Sequence, residues 1–250
     1  MKVSVCVCTY LRPVELGCLV RCFQRQDYPA GRREMVILDD ARQYDNREGD
    51  GWRLVSTATR YPTLGEKRNA AAGVADPDTD VLCQWDDDDL YLPWALSASV
   101  AALQNAQWSR PSVVLRWSPE GLVQHRTWNR PDGRDKAFQG GWAMRSEALR
   151  RVGGYPAAST NEDLLLARRL QKAKIRQADP IALGARPFYV WGPHGNAHLS
   201  GWPVATGYKT WAEWKVHRAT VTPTDPPQVD LANPLILPQV HARTFGGDWS

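Results

Sequence analysis

The chain has 250 residues, 23% of them charged, and a formal net charge of +4, so its length suits one α/β domain with a full hydrophobic core. This small positive charge is too weak on its own to predict a nucleic-acid-binding protein, and the absence of any run of about 18 apolar residues argues against a membrane-spanning helix. The five cysteines, an odd number without a CxxC pair, favour buried thiols over disulfides or a zinc site.

The first half of the chain alternates predicted strands with predicted helices. Apolar runs rich in β-branched residues predict strands at 3–8, 35–38, 52–56 and 81–83. Helical spacing predicts helices over 13–23, from residue 65, and over 92–106. This alternation predicts a parallel sheet with Rossmann-like winding. Because the N-terminus enters a strand without an apolar leader, we expect no signal peptide and a cytoplasmic location.

The second half is less regular. Short strands are predicted at 112–117, 122–125 and 188–191, and a short helix over 146–152. A further helix is predicted from residue 162 to residue 173, capped by residues 159–161, with its buried stripe beginning at Leu164 and Leu165. Prolines punctuate the sequence after residue 222 and predict a tail that wraps the surface or is partly mobile.

Four consecutive aspartates, at 86–89, stand out from this background. They follow the predicted strand at 81–83 and precede the apolar residues 90–93, so they lie at the carboxyl end of a strand, where open α/β sheets bind ligands. Two carboxylates ~6 Å apart repel by roughly 3 kcal/mol at an effective dielectric constant of 20. A divalent cation shared with substrate phosphates would relieve this repulsion, and we predict such a metal–phosphate site.

Five short segments follow one another in an informative order. They are residues 3–13, Leu38-Asp39-Asp40, Gly65-Glu66-Lys67-Arg68-Asn69, the aspartates at 86–89, and Asn161-Glu162-Asp163. In this order the sequence resembles the family 2 glycosyltransferases, and the resemblance covers most of the first 200 residues. It implies an α/β fold: a single GT-A (Rossmann-like) domain over 1–220, with a mostly parallel central sheet flanked by helices. Residues 1–107 would bind the sugar nucleotide, residues 108–220 the acceptor, and 221–250 would form the Pro-rich tail.

The resemblance also implies roles for individual residues. Binding of the sugar nucleotide is assigned to Thr9, Tyr10, Arg12, Asp39, Lys67, Arg68, Asn69, Asp86 and Asp87. Asp39 is expected to accept a hydrogen bond from the base, which favours a UDP-sugar. Asp88, with Asp86 and His194, is expected to hold Mn²⁺ or Mg²⁺. Asp163 is expected to be the general base of an inverting hexosyl or pentosyl transfer, while Glu162 caps its helix or holds the acceptor.

The chemistry of such a transfer is consistent with these residue types. A nucleoside diphosphate leaves readily when a metal and cations meet its developing charge, and an acceptor hydroxyl needs a base within hydrogen-bond reach. The metal pair remains open, with Asp87 and Asp89 as the alternative to Asp86 and Asp88. The chain has Ala41-Arg42 after Asp39-Asp40, where the family often has Gly-Ser.

Two other functions compete with this interpretation. A nucleotidyltransferase would use a related sheet and acidic metal ligands, but it would normally have a Gly-rich loop after the first strand, and residues 8–12 contain no glycine. A non-catalytic protein that binds sugar nucleotides or glycans is the second alternative.

The acceptor is open between a glycan, a small metabolite and a hydroxylated base in DNA, which small viral glycosyltransferases modify. For DNA, a rim formed by Trp202, Trp211, Trp214, Lys209, Lys215 and Arg218 could stack bases and bind phosphates. Trp142 and Trp202 are the candidate acceptor-binding tryptophans. The glycine-containing segment 191–208 is predicted to close over the diphosphate as a lid.

Overall fold

Twelve strands and five α-helices make up the part of the chain that the computed structural model describes, residues 1–118, 121–127 and 138–191. The strands are β1 Val3–Thr9, β2 Arg33–Asp39, β3 Arg47–Gly49, β4 Trp52–Ser56, β5 Val81–Asp86, β6 Leu90–Tyr91, β7 Trp108–Ser109, β8 Val113–Ser118, β9 Gly121–Arg126, β10 Ala143–Arg145, β11 Gln177–Ala178 and β12 Tyr189–Trp191. The helices are α1 Pro13–Gln24, α2 Leu64–Val74, α3 Ala95–Ala102, α4 Ser146–Arg151 and α5 Glu162–Lys172. Two 3₁₀ turns occupy Ala30–Arg32 and Gln139–Gly141.

An eight-stranded sheet forms the centre of the fold, with strand order β11-β7-β10-β5-β1-β2-β4-β3. Six of its strands run in one direction, and β3 and β10 run against their neighbours. The predicted α/β fold with a mostly parallel sheet is therefore confirmed, and the sheet is mixed. β3 is antiparallel because it enters β4 through the tight turn at Asp50-Gly51, where Gly51 has φ +72°. A second sheet of four strands has the order β6-β12-β8-β9.

The register of the central strands brings their carboxyl ends to one edge. Thr9 pairs with Asp39 across β1 and β2, and Cys8 pairs with Asp86 across β1 and β5. The three strands are buried almost throughout, as parallel strands covered on both faces should be. Polar residues that end these strands therefore meet at a single edge of the sheet.

Two helices cover this sheet with apolar faces. Leu16, Leu19 and Phe23 of α1 are buried in the main core cluster, as their helical spacing predicts. α5 packs through Leu166, Ala167 and Leu170 in a second cluster that also holds Trp108 and Trp142. The expectation that the buried stripe of α5 begins at Leu164 and Leu165 was wrong, because Leu164 is half-buried and Leu165 is 37% exposed.

Other differences from the sequence-based expectations concern short elements. The helix predicted over 92–106 is shorter, Ala95–Ala102. Five strands of two or three residues were not anticipated, since so few residues cannot display an alternating pattern: β3, β6, β7, β10 and β11. The boundary at residue 220, the Pro-rich tail and almost all of the predicted lid lie outside the described residues. Every helix within the described ranges is too short or too polar to cross a lipid bilayer.

Candidate functional site

The four aspartates form a tight turn at the carboxyl edge of the central sheet. Asp86 is the last residue of β5, and the chain returns at once through β6. Within the turn, the amide of Asp89 donates to the carbonyl oxygen of Asp86 at 3.4 Å. The Asp86 amide donates to the hydroxyl oxygen of Tyr91 at 2.9 Å. The turn is therefore tied to the strand that follows it.

Alternate aspartates of this turn have different environments. Asp87 is 5% exposed and accepts hydrogen bonds from the Thr9 hydroxyl at 2.8 Å and from Arg12 at 2.6 Å. Asp89 is 4% exposed and accepts a hydrogen bond from the Tyr189 hydroxyl at 2.5 Å. The side chains of Asp86 and Asp88 are more open, at 29% and 22% exposure. Asp87 and Asp89 thus anchor the turn, and Asp86 and Asp88 face outward.

Arg12 is the principal counter-charge of this turn. Its guanidinium lies 2.6 Å from an oxygen of Asp87 and 2.8 Å from an oxygen of Asp88. Burial works against its charge, but the two aspartates raise the pKa of Arg12 above the usual value. Burial, reinforced by Asp87 and opposed by Arg12, raises the pKa of Asp88 to about 7. The charge of Arg12 therefore does not fully offset the burial of Asp88 and the repulsion from neighbouring carboxylates.

Arg68 joins the acidic turn to the beginning of α5. Its guanidinium lies 3.0 Å from Asp86 and 3.3 Å from Glu162, and its side chain is 7% exposed. Burial lowers its pKa, but Asp86 and Glu162 raise it by more, so the net shift is upward. Arg68 therefore links Asp86 with Glu162, two residues that are 76 positions apart in the sequence (162 minus 86).

The start of α2 places Arg68 at this position. Thr63 caps the helix by accepting a hydrogen bond from the amide of Glu66. At Gly65 the helix approaches the chain before α5 so closely that a Cβ would lie 1.8 Å from the carbonyl oxygen of Pro156. Only glycine allows this contact, which sets α2 against the segment that leads into α5.

Asp163 lies beside Glu162 in the first turn of α5. Its carboxylate is half-buried and accepts a hydrogen bond from the amide of Leu164 at 2.6 Å. Burial, followed by the neighbouring Glu162, raises the pKa of Asp163 to about 6. A carboxylate of this kind can exchange a proton near neutral pH. Asn161 occupies the N-cap position of α5, as predicted, but its side chain makes no capping hydrogen bond and its backbone is in the left-handed region, with φ 58°.

A second group of charges lies at the ends of β1 and β2. Lys67 donates to the carbonyl oxygen of Thr9 at 2.6 Å and to Asp40 at 2.5 Å. Asp39 is fully buried, and its carboxylate accepts from the amides of Ala41 and Gln43 and from the hydroxyl of Ser56. Asp39 therefore supports its own turn, and since a carboxylate offers about four acceptor sites, one further donor can be accommodated.

Some of the predicted site residues are placed elsewhere. The side-chain amide of Asn69 accepts a hydrogen bond from the backbone N–H of Tyr155 at 2.7 Å and donates one to its carbonyl oxygen at 2.9 Å. Asn69 therefore holds the segment before α5 in position. Tyr10 is buried, with the guanidinium of Arg60 3.6 Å from its ring centre. Trp142 is 1% exposed in the core beside Trp108, and in this position its ring has no open face for an acceptor. His194 and Trp202 lie outside the described residues.

An aromatic stack lies behind the acidic turn, and sequence patterns contain little sign of it. Trp85 stacks on Tyr91 with ring centres 3.8 Å apart, and Tyr91 lies 5.4 Å from Tyr189. The backbone at Gly140 is pressed against this stack, where a Cβ would lie 2.6 Å from the Tyr91 hydroxyl. Trp85 and Tyr91 flank the aspartates in the sequence, and this pattern could have indicated that their rings pack together. Tyr189 lies too far along the chain to be associated with them.

The outward-facing aspartates fit a divalent ion that completes its shell with substrate. Among the residues described, no group of three or more His, Cys, Asp and Glu side chains is placed to hold a metal. Asp86 and Asp88 offer two hard oxygen ligands, and Mg²⁺ usually binds one or two carboxylates together with substrate phosphates. Burial and the neighbouring Asp87 raise the pKa of Asp88, so a further positive charge nearby would favour its ionised form.

Several solved structures share this architecture. S. aureus TarS 1–349 in complex with UDP-GlcNAc superposes with a TM-score of 0.63 at 19% identity, covering 82% of this chain and 62% of that one. The chain has the GT-A glycosyltransferase fold. The mannosyltransferase PcManGT from Pyrobaculum calidifontis, in complex with GDP-Man and Mn²⁺, gives a TM-score of 0.55 at 19% identity, covering 87% of this GT-A chain and 61% of PcManGT.

A GT-A match with lower sequence identity is GalNAc-T7 with UDP, GalNAc and Mn²⁺, at a TM-score of 0.56 and 15% identity, covering 72% of this chain and 42% of that one. This chain spans less than two thirds of the length of these GT-A proteins. No protein-family model and no curated protein matches the sequence. At these identities the likeness establishes the fold.

Proposed function

We propose that this protein transfers a sugar from a nucleoside-diphosphate sugar to an acceptor hydroxyl, with inversion at the anomeric carbon. The observation that carries the proposal is the position of Arg68 between Asp86 and Glu162. It brings the acidic turn after β5 and the carboxylate pair of α5 to the same edge of the sheet. A transfer of this kind needs a centre for the leaving diphosphate and a base for the acceptor, close to each other.

The donor half of the reaction would depend on the acidic turn. Asp86 and Asp88 would hold Mn²⁺ or Mg²⁺, which supplies Lewis-acid stabilisation of the charge on the leaving diphosphate. Asp87 and Asp89 keep the turn in place through Thr9, Arg12 and Tyr189. Lys67 is occupied by Asp40 and the end of β1, so its role is to hold the two strand ends together beneath the nucleotide.

The acceptor half would depend on Asp163. Glu162 is turned toward Arg68 and is buried, whereas Asp163 is half-buried and has a pKa of about 6. Adjacent helical positions point ~100° apart, so only one of the two faces the acceptor. Asp163 is therefore the general base, and it takes the proton of the acceptor hydroxyl as the sugar is transferred.

Nucleotide binding tests the donor half. TarS was solved with UDP-GlcNAc and PcManGT with GDP-Man and Mn²⁺, so both donors should be screened by thermal shift, with Mn²⁺, with Mg²⁺ and with EDTA. We expect stabilisation by a UDP-sugar that requires a divalent ion. Asp88→Asn should abolish it, whereas Asp78→Asn, an exposed aspartate away from the turn, should not. Equal stabilisation of the wild type in EDTA would contradict the metal role.

The identity of the base and the type of reaction need separate measurements. If Asp39 contacts uracil, Asp39→Asn should reduce the preference for UDP over CDP, because N3–H is a donor that cytosine lacks. Products then separate the competing functions: a glycosyltransferase releases a nucleoside diphosphate, whereas a nucleotidyltransferase releases pyrophosphate. Metal-dependent nucleotide binding without release of either product would indicate a binding protein.

A further inference from the structure

The positive charge of this chain is concentrated in one stretch. Residues 146–176 contain seven Lys and Arg against three Asp and Glu, a net charge of +4 that equals the formal net charge of the whole chain. The chain totals are 31 basic and 27 acidic residues, so the rest of the sequence holds 24 of each. This stretch spans α4, α5 and the chain up to β11.

All seven cations are exposed, and we call them the basic face: Arg150, Arg151, Arg168, Arg169, Lys172, Lys174 and Arg176. Contacts between α4 and α5 draw them together. Arg151 donates to the carbonyl oxygen of Ala173 at 3.4 Å, and Arg169 donates to that of Gly154 at 3.2 Å. Each of these two guanidiniums uses one of its five N–H donors in this way, so most of their donors point to solvent.

The basic face lacks compensating acids. Within the part of the chain that the structure describes, none of its seven members forms an ion pair. Of the three carboxylates in the stretch, Glu162 is buried against Arg68 and Asp163 faces the site, which leaves only Glu147 exposed. Cations in the last turn of a helix favour its dipole by 0.3–1 kcal/mol each. That effect does not account for Lys174 and Arg176, which follow the helix.

Three cations of the basic face and the candidate base belong to the same helix. Asp163 is the second residue of α5 and Lys172 is its last, nine residues later, which is about 14 Å at a rise of 1.5 Å per residue. At 100° per residue, Arg168, Arg169 and Lys172 lie about 140–240° around the helix from Asp163. A flexible chain molecule that contacts these cations must therefore pass around α5, which is about 10 Å wide, to present a hydroxyl to Asp163. Five of the seven cations are arginines, whose planar forks match phosphate oxygens.

We propose that the basic face binds an acceptor that is a flexible polymer with a phosphodiester backbone, and that it guides the acceptor hydroxyl of this polymer to Asp163. This inference rests on the proposed glycosyltransferase function and names its acceptor class. Binding would be electrostatic, so it should weaken steeply with added salt.

The test compares two triple variants with the same loss of charge. One is Arg168→Gln/Arg169→Gln/Lys172→Gln on the basic face; the control is Arg25→Gln/Arg32→Gln/Arg47→Gln, three exposed arginines elsewhere. The probe is a fluorescent oligothymidylate of about 20 nucleotides, long enough to exceed usual single-strand site sizes. Its affinity is measured by anisotropy over a range of salt concentrations.

We expect the wild type and the control to bind the oligonucleotide alike. The basic-face variant should bind at least about tenfold more weakly at low salt, and its slope of log K against log salt should be shallower by about 2, three contacts at 0.7 each. Failure of the wild type to bind, or equal losses in both variants, would overturn the proposal. Equal affinity of the wild type for poly-glutamate would also overturn it, because that would show a surface indifferent to phosphate.

This experiment is independent of the donor test. Oligonucleotide binding requires neither a sugar nucleotide nor a metal, whereas the proposed transferase function is measured by metal-dependent stabilisation with the donor. If the donor test fails while the basic face binds the oligonucleotide, the reaction is wrong and the polymer-binding surface stands. If the donor test succeeds and the basic face does not bind, only the acceptor class is wrong.

Discussion

The cations of the cleft and those of the basic face differ in almost every physical respect. Arg12, Lys67 and Arg68 are buried, and each contacts at least one carboxylate within 3.0 Å. Arg168 and Lys172, on the basic face, are exposed and form no ion pair with the described residues. In the cleft, positive charge therefore organises the protein's own carboxylates, whereas on the basic face it remains available to another molecule.

This difference decides what a substitution should do. Removing one partner of a buried pair leaves an uncompensated charge and costs about 3–5 kcal/mol, whereas surface substitutions usually change stability by less than about 0.5 kcal/mol. The cleft should therefore govern stability and chemistry, and the basic face should govern association with a partner and its dependence on salt.

The largest effect is expected at Asp163, where the cleft would perform chemistry. General-base catalysis typically contributes 10²–10⁴-fold, so Asp163→Asn should lower the transfer rate by roughly that factor while donor binding survives. Single-turnover measurement with a saturating sugar nucleotide checks this. Near wild-type turnover, or a product that retains the anomeric configuration of the donor, would contradict the assigned role.

The next largest effect is on stability, and it compares the two classes of cation directly. Arg68→Met should lower the free energy of unfolding by about 3–5 kcal/mol, because Asp86 and Glu162 lose their shared counter-charge. The same chemical change at Arg168, which is exposed, should cost less than about 0.5 kcal/mol. Urea denaturation of both variants measures the difference. Similar losses in the two variants would show that burial does not separate the two classes.

The pH dependence should follow the raised pKa of Asp163, which is about 6. The base acts when deprotonated, so kcat/KM should fall about tenfold for each pH unit below 6 and level off above it. The stability effect has the opposite sign. A carboxyl whose pKa is raised by folding favours the folded state at low pH, and this contribution is lost as the pH rises through 6.

Asp163→Asn therefore offers a second readout of the same shift. The variant should be more stable than the wild type at pH 7.5, where the wild-type carboxylate is charged and half-buried. This gain should largely disappear near pH 4, where the carboxyl is protonated in the folded state and about half protonated in the unfolded state. A difference in stability that does not change between pH 4 and pH 7.5 would contradict the raised pKa.

The smallest effect concerns the counter-charge at the acidic turn. Arg12 contacts both Asp87 and Asp88, so it competes with a divalent ion for the same carboxylates. Arg12→Met should bind Mn²⁺ several-fold more tightly than the wild type in the absence of nucleotide, because the guanidinium and the divalent ion carry like charges and repel each other. Electron paramagnetic resonance of free Mn²⁺ measures this, with Arg32→Gln as the control. Unchanged affinity would place the metal away from Asp88.

How far the sequence predicted this site depends on how its residues are connected. The alternation of elements and the ends of β1, β2 and β5 could be predicted, because each depends on a local pattern. The outward position of Asp86 and Asp88 could not, because it depends on Thr9, Arg12 and Tyr189 bonding to the other two aspartates. Nor could the bracing role of Asn69, which depends on the backbone of Tyr155, 86 residues away.

Charge misled the interpretation in a similar way. A net charge of +4 on the whole chain appeared diffuse. Residues 146–176 hold seven of the cations, but only the tertiary contact of Arg151 with Ala173 shows that the end of α4 lies against the end of α5. Trp142 illustrates the reverse case, a residue with attractive chemistry that packing removes from solvent. Composition indicates which groups a chain holds, and tertiary contacts decide which of them can meet a ligand.

The two anchors of the acidic turn have a consequence for the order in which the protein is assembled. Asp87 is held by residues 75 and 78 positions earlier in the chain, and Asp89 by a tyrosine 100 positions later. Contacts of such high sequence separation form late and slowly in folding. During synthesis, β5 would emerge well before Tyr189, so a growing chain would carry a loose acidic segment until β12 docks. Cation binding at this turn would then report that folding is complete, and a chain truncated before Tyr189 should have lost it.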